Sequence, residues 1–168
     1  MRMKTRLSPV LVFLTVFLLA ITVKLLVIDI LYVAGPSMSP VITPGTLVAE
    51  FRLEWGIPVP FKNAYFIRWG TPTAGDIVIY PWQGRLVVKR CVAGPGEKLV
   101  FSNEKGYSVR SGAREIPLNR EQYHKLKNVQ QVPDGMIFAV GDNMAESHDS
   151  RDYGFVSVDS IRGTVLWK

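Results

Sequence analysis

"RLVVKRCVA" (residues 85–93) is the stretch on which the reading of the fold turns. It is dominated by β-branched and apolar residues and runs into the turn signal "GPGE". A strand alternates its side chains, so Val87, Lys89 and Cys91 fall on one face and Val88 and Arg90 on the other. Lys89 thus shares its face with two apolar neighbours. An amine taken into an interior loses the solvation of its charged form, and its pKa falls toward the range of a usable general base. Taken alone, a strand lysine keeps its amine in solvent, so Lys89 needs support from elsewhere in the chain.

Outward from this segment, "TLVAEFRL", "DIVIYPW", "EKLVFS", "YSVRS", "MIFAVGD" and "SIRGTVLW" carry the same strand signature. Turn signals lie between them at "TPG", "TPTAGD", "NEKG" and "VPDG". Only "NREQYHKLKNVQQ" (119–131) could be helical, and its weak apolar periodicity makes it a surface segment or loop. The aromatic, Pro-broken run at 52–75 reads as a long hairpin or edge loop, with a membrane-resting surface as its alternative. The fold expected is mainly β: a mostly antiparallel β domain at 33–168.

Ahead of it, "PVLVFLTVFLLAITVKLLVI" (9–28) holds one charge, Lys24, in 20 residues. A helix of that length spans about 30 Å, the thickness of a bilayer core, and Lys24 can snorkel to headgroups at the outer end. Arg2, Lys4 and Arg6 place residues 1–8 on the cytoplasmic side and the β domain outside. A cleavable signal peptide has the same outline, but neither "LLA" nor "YVA" offers small residues at both −1 and −3. The segment therefore reads as a single uncleaved transmembrane anchor in contact with a lipid bilayer.

Net charge is +6; Lys24 and Asp29 cancel near the far end of the anchor, and the chain beyond Asp29 carries 16 basic and 13 acidic residues, without the clustered basic stripe that nucleic acid requires. The lone Cys91 allows no internal disulfide and no cysteine-based metal site. No metal, nucleotide or small-molecule cofactor site is legible.

Two further stretches carry candidate chemistry. "PSMSP" (36–40) is a Pro-flanked turn a few residues beyond the anchor; its serines could cap the turn or act on a substrate. "GDNMAESHDSRDYG" (141–154) leaves an apolar strand as a loop dense in polar groups, a usual place for function on a rigid sheet. Asp142, Asp149, Arg151 and Asp152 could brace it by ion pairs, and Ser147 and Ser150 could donate hydrogen bonds inward.

With these segments in hand, the chain resembles the type I signal peptidases, membrane-anchored Ser–Lys proteases that remove signal peptides from exported proteins. Four motifs match in order along nearly the whole chain, a specific combination. "PSMSP" resembles the nucleophile box and implies Ser37, which directly precedes Met, rather than Ser39. "GDIVIY" (75–80) resembles the Gly-Asp box. "VVKRCVAGPGEKL" (87–99) resembles the general-base box and implies Lys89. The 141–154 loop resembles the last box and implies that Ser147 orients the lysine amine.

The resemblance further implies preprotein signal peptides as substrates, cleavage after Ala-x-Ala-type sequences, substrate bound as an added strand, and residence in a bacterial cell (inner) membrane. A peptidase maturing conjugative pilin would share these motifs. A non-catalytic anchored binding domain would have no need of Ser37, Lys89 and Ser147 together. Two departures stand out. Some relatives place a serine hydroxyl near the oxyanion hole where this chain has Gly35, which leaves the Ser37 amide and a second donor to stabilise the oxyanion. The short span between the last two boxes implies that a large extra β domain is absent. His148-Asp149 invites comparison with a Ser-His-Asp triad, but neighbours on an extended segment point apart, so His148 reads as a surface residue.

Overall fold

The computed structural model describes residues 8–60, 62 and 64–167. The basic cluster Arg2, Lys4 and Arg6 lies outside these residues. The first element is α1 (Pro9–Leu26), opened by Ser8, whose hydroxyl accepts from the Leu11 amide, and by Pro at N1. The helix is apolar on all sides and buries none of its residues in the protein. It is long and apolar enough to cross a membrane. Thr15 and Thr22 return their hydroxyls to the carbonyls of Leu11 and Leu18, which leaves no free polar group on the helix shaft from either residue.

The helix stops at Leu26, and Ile28 already begins a strand, so residues 28–32 belong to the β domain and not to a tether. A helix-to-strand switch inside one continuous apolar run leaves no mark in hydropathy; the polar Asp29 is its only local sign. Along the chain follow β1 (Ile28–Tyr32), β2 (Leu47–Phe51), β3 (Gly56–Pro58), β4 (Tyr65–Arg68), β5 (Ile77–Trp82), β6 (Arg85–Ala93), β7 (Val100–Ser102), β8 (Ser108–Ser111) and β9 (Arg114–Pro117). The chain closes with α2 (Arg120–Leu126), β10 (Met136–Val140), α3 (Ser150–Tyr153), β11 (Val156–Ser157) and β12 (Gly163–Trp167).

Seven strands form one antiparallel sheet in the order β1-β2-β12-β5-β6-β10-β11. A three-stranded sheet β7-β8-β9 packs through Val109 and Ile116 against Val92, Phe138 and Val140, and only this small sheet, α2 and β10 lie between the last two motifs. The expected mainly β, mostly antiparallel architecture is the one observed. Within 119–131 the chain forms α2, closed by a reciprocal capping box in which Asn119 and Gln122 bond each other's backbone amides. Leu126 plugs α2 into the core beside the small sheet. The 52–75 segment divides between its two readings: Trp55 is buried in the core, whereas Phe66, Ile67 and Trp69 on the β3-β4 hairpin stand exposed.

Candidate active site

The turn bearing Ser37 is held by apolar plugs. Met38 and Ile42, each 1% exposed, pack with Val33 and Val48 beneath the large sheet. The Ser39 amide donates to Pro36 O and the Ile42 amide to Met38 O, which winds the turn around the buried methionine. Ser37 is left half-buried and Gly35 exposed. Thus the residue after Ser37 is a structural anchor, which gives Met at that site a physical reason.

Lys89 lies on β6 and is 3% exposed. Register pairs it with Val78 on β5, and Tyr80 pairs with Val87 on the same face. Its amine donates to Ser147 Oγ at 3.0 Å. Burial holds the amine below the ordinary lysine range; Asp149 pulls the other way, and Arg151 offsets Asp149. The strand period thus turned Lys89 inward as the alternation of "RLVVKRCVA" requires.

The 141–154 loop is fixed from three directions. Asp149, fully buried, accepts from the Gly141 amide, from the Arg151 amide and from the Arg151 guanidinium. Arg151 also donates to the carbonyls of Met144 and Ser147, so a single buried ion pair shapes the chain on both sides of Ser147. Asp142 braces the loop through an ion pair whose partner lies outside the loop, on β6. Arg90 makes a two-pronged contact with Asp142 at 2.7 and 2.6 Å while donating to Gly75 O. Arg90 follows Lys89 directly, so this fork ties the loop to the strand beside the lysine. Ser150 Oγ accepts from the Ala139 amide, the reverse of the donor role expected of it. Behind α3, the Tyr153 and Tyr80 hydroxyls meet at 2.6 Å and Trp82 stacks on Tyr153, which seats the helix against β5.

Gly141 and Asn143 join this loop to the serine turn. The Asn143 amide donates to Ser37 O at 3.0 Å and its side chain to Pro36 O at 3.3 Å. A Cβ placed on Gly141 would fall 2.5 Å from Ser37 O and nearer still to Ser147 Oγ. The serine residue and the lysine's hydrogen-bond partner therefore meet across one side-chain-free position. Sequence reasoning missed Gly141, Asn143 and Arg90. The opening "GDN" of the loop was a signal for the first two; nothing local announced the third.

His148 is exposed, with Nδ1 at 3.3 Å from Asp152 Oδ2 and not paired with Asp149. Burial would raise the Asp152 carboxyl, but hydrogen bonds from the Gln122 side chain and the Asp149 amide outweigh it and hold the group low.

The structure thus gathers a serine in a fixed turn, a buried amine and a hydroxyl that holds that amine around Gly141. The sequence model for "Signal peptidase, peptidase S26" matches residues 6–168. The chain is 29% identical over 159 residues to a signal peptidase I of Bacillus caldolyticus, spanning 86% of this chain and 80% of that one. It is 30% identical over 164 residues to a probable signal peptidase I-1 of Synechocystis, spanning 89% and 75%. A crystal structure of a signal peptidase I from Enterococcus faecalis aligns with 26% identity and a TM-score of 0.41, covering 56% of this chain and 97% of that one. The chain belongs to the signal peptidase family, peptidase S26, and within it is an enzyme of the type I class.

Proposed function

We propose that the protein is a single-pass membrane endopeptidase that removes signal peptides from exported preproteins with Ser37 as nucleophile and Lys89 as general base. The observation that carries this reading is the buried, hydroxyl-held amine of Lys89, whose pKa is lowered by burial, beside the serine turn. In the neutral form Lys89 takes the proton of Ser37 Oγ as Oγ bonds to the scissile carbonyl carbon. The lysine ammonium then protonates the leaving nitrogen as the C–N bond breaks. The mature protein departs as a free amine, and the signal peptide remains as an ester on Ser37. A water that gives its proton to Lys89 attacks the ester, releasing the signal peptide carboxylate and restoring the Ser37 hydroxyl. Ser147 orients the amine throughout. Asp142, Asp149 and Arg151 hold the loop in place and touch no reacting atom.

The anchor α1 keeps this chemistry at the outer face of a bacterial inner or sole membrane, with residues 1–8 in the cytoplasm, the helix Pro9–Leu26 as the spanning segment and the β domain, from β1 onward, outside. Preprotein binds as an added strand and presents small residues at −1 and −3, so the enzyme cuts after Ala-x-Ala-type sequences. The oxyanion is met by the Ser37 amide and a second donor. At Gly35 a Cβ would meet nothing within 4 Å, so the place where some relatives carry a hydroxyl is open and unused.

The test is direct. Detergent-solubilised protein incubated with a preprotein should cut at one site, and Ser37→Ala should leave the preprotein intact. Cleavage by Ser37→Ala equal to wild type would end the assignment.

A further inference from the structure

The junction between α1 and the sheet holds a second group of buried charges, separate from those that brace the 141–154 loop. Arg52 is 6% exposed, yet all its donor nitrogens are engaged. Nη1 donates to the carbonyls of Lys24 and Leu25 in the last turn of α1, at 3.2 and 2.7 Å. Nη2 donates to Asp29 on β1 at 2.6 Å and Nε to Glu50 on β2 at 3.0 Å. The Arg52 amide also donates to Val27 O, on the residue that links helix to strand.

Carbonyls at a helix C-terminus lack intrahelical partners, and a cation there complements the helix dipole. Here both needs are met by a side chain of the β domain. Asp29 and Glu50 are directly opposed in the β1-β2 register, an arrangement that repels unless cations stand between. Arg52 and Arg162 supply them, Arg162 reaching Asp29 at 3.1 Å and Glu50 at 3.2 Å. Burial pushes the Glu50 carboxyl up against the pull of Arg52, and its Oε1 has no partner among the described residues. A charge network that leaves one acceptor unmatched adds little net stability, but it fixes register, since displacing any member strands a buried charge.

We propose that Arg52 is a positioning residue that locks the membrane helix to the sheet and thereby sets the height above the bilayer at which a preprotein is cut. The chain from the lock to the nucleophile contains no loose tether. Strand β1 starts two residues after the helix ends, and the Ser37 turn begins just beyond it. The distance from the membrane surface to Ser37 is therefore a property of the fold, and the enzyme favours substrates whose apolar segment and cleavage sequence are separated to match. This inference rests on the membrane-anchored reading of the protein's function.

The experiment uses full-length enzyme reconstituted in phospholipid vesicles and two preproteins whose cleavage sequences differ by about four residues, or ~13 Å extended, in distance from the apolar segment. A short soluble peptide bearing the same cleavage sequence serves as reference. Wild type should discriminate between the two preproteins. Arg52→Gln should hydrolyse the peptide within about twofold of wild type while its discrimination falls by about tenfold, since small misplacements carry large rate penalties. If Arg52→Gln loses peptide activity through misfolding, a Gly-Ser insertion between Val27 and Ile28 releases the helix carbonyls with Arg52 intact, and the same loss of discrimination is expected. Equal loss on peptide and preproteins with discrimination retained in the insertion variant, or a wild-type enzyme indifferent to spacing, overturns the inference. Failure of wild type to cut any preprotein overturns the functional reading itself.

Discussion

Arg52 and Lys89 are two cations buried to nearly the same degree, 6% and 3% exposed, at two ends of one sheet. Arg52 is surrounded by two carboxylates and two helix carbonyls, a full set of acceptors for a group that does not deprotonate. Lys89 has one neutral hydroxyl, and the nearest acid, Asp149, is already claimed by Arg151. Burial alone therefore does not decide what a cation does. The partner set does: acceptors in excess make a lock, and a deficit makes an amine that readily gives up its proton.

The hardest blow to this contrast is Lys89→Arg. It keeps charge and much of the length, so a structural cation would survive it. A guanidinium cannot accept the Ser37 proton at any working pH, and turnover should fall on the order of 10⁴-fold. In wild type, kcat/KM should rise with pH through a pKa below the free lysine value of ~10.4, because burial favours the neutral amine. Substantial cleavage by Lys89→Arg would move the role of base elsewhere.

Next in size comes Gly141→Ala. The added methyl would strike Ser147 Oγ and Ser37 O together, prising apart the two strands of the site without removing any functional group. A loss of about 10²-fold in kcat with little change in KM is expected, since misplacement by ~1 Å carries that penalty. Wild-type turnover would mean that the contact between serine turn and loop is not maintained during reaction.

Local chemistry made much of this visible in the sequence. Strand alternation put Lys89 on a face with two apolar neighbours, and Ser37, Lys89 and Ser147 stood out only once residue types and order matched a known set of motifs. What stayed hidden was long-range. Arg90 and Asp142 are 52 residues apart, and Arg162 and Asp29 are 133 apart; no period or spacing rule connects such pairs before the sheet is assembled. Strand β1 was concealed because its apolar residues extend the anchor's run. Helix α2 was half-visible: 119–131 was the one stretch that could be helical, but weak periodicity left it open, although the Asn119–Gln122 capping pair lay in plain view.

Stability offers a milder test of the same contrast, with opposite signs at the two ends. Lys89→Met removes a cation short of partners and should raise stability at neutral pH by about 1 kcal/mol, at the expense of activity. The pH dependence follows from the lowered pKa. Between the folded and unfolded values the unfolded chain binds the extra proton, so wild-type stability rises with pH across that window. The mutant's advantage is thus greatest below the folded pKa and vanishes near ~10.4. Arg52→Met strands the helix carbonyls and leaves Arg162 as the one cation between Asp29 and Glu50, and should cost about 3 kcal/mol. Chemical denaturation of both variants at several pH values checks the pair; a destabilised Lys89→Met would show that the amine's partners suffice after all.

The smallest effect belongs to His148→Ala, and its smallness is the point. The imidazole sits in solvent, edge-on to Tyr153 and 3.3 Å from Asp152. Asp152 draws only a lesser share of its lowering from it: hydrogen bonds from Gln122 and the Asp149 amide do more to hold the carboxylate low, and the cap on α3 closes through that same amide. An exposed pair of this kind contributes ~0–1 kcal/mol. Cleavage should remain within about twofold of wild type, with the rise of kcat/KM with pH unmoved, because imidazole takes no proton in the reaction. A pH profile that shifts when His148 is removed would pass the role of base to a residue one step from Ser147, and the contrast between the two buried cations would lose its catalytic half.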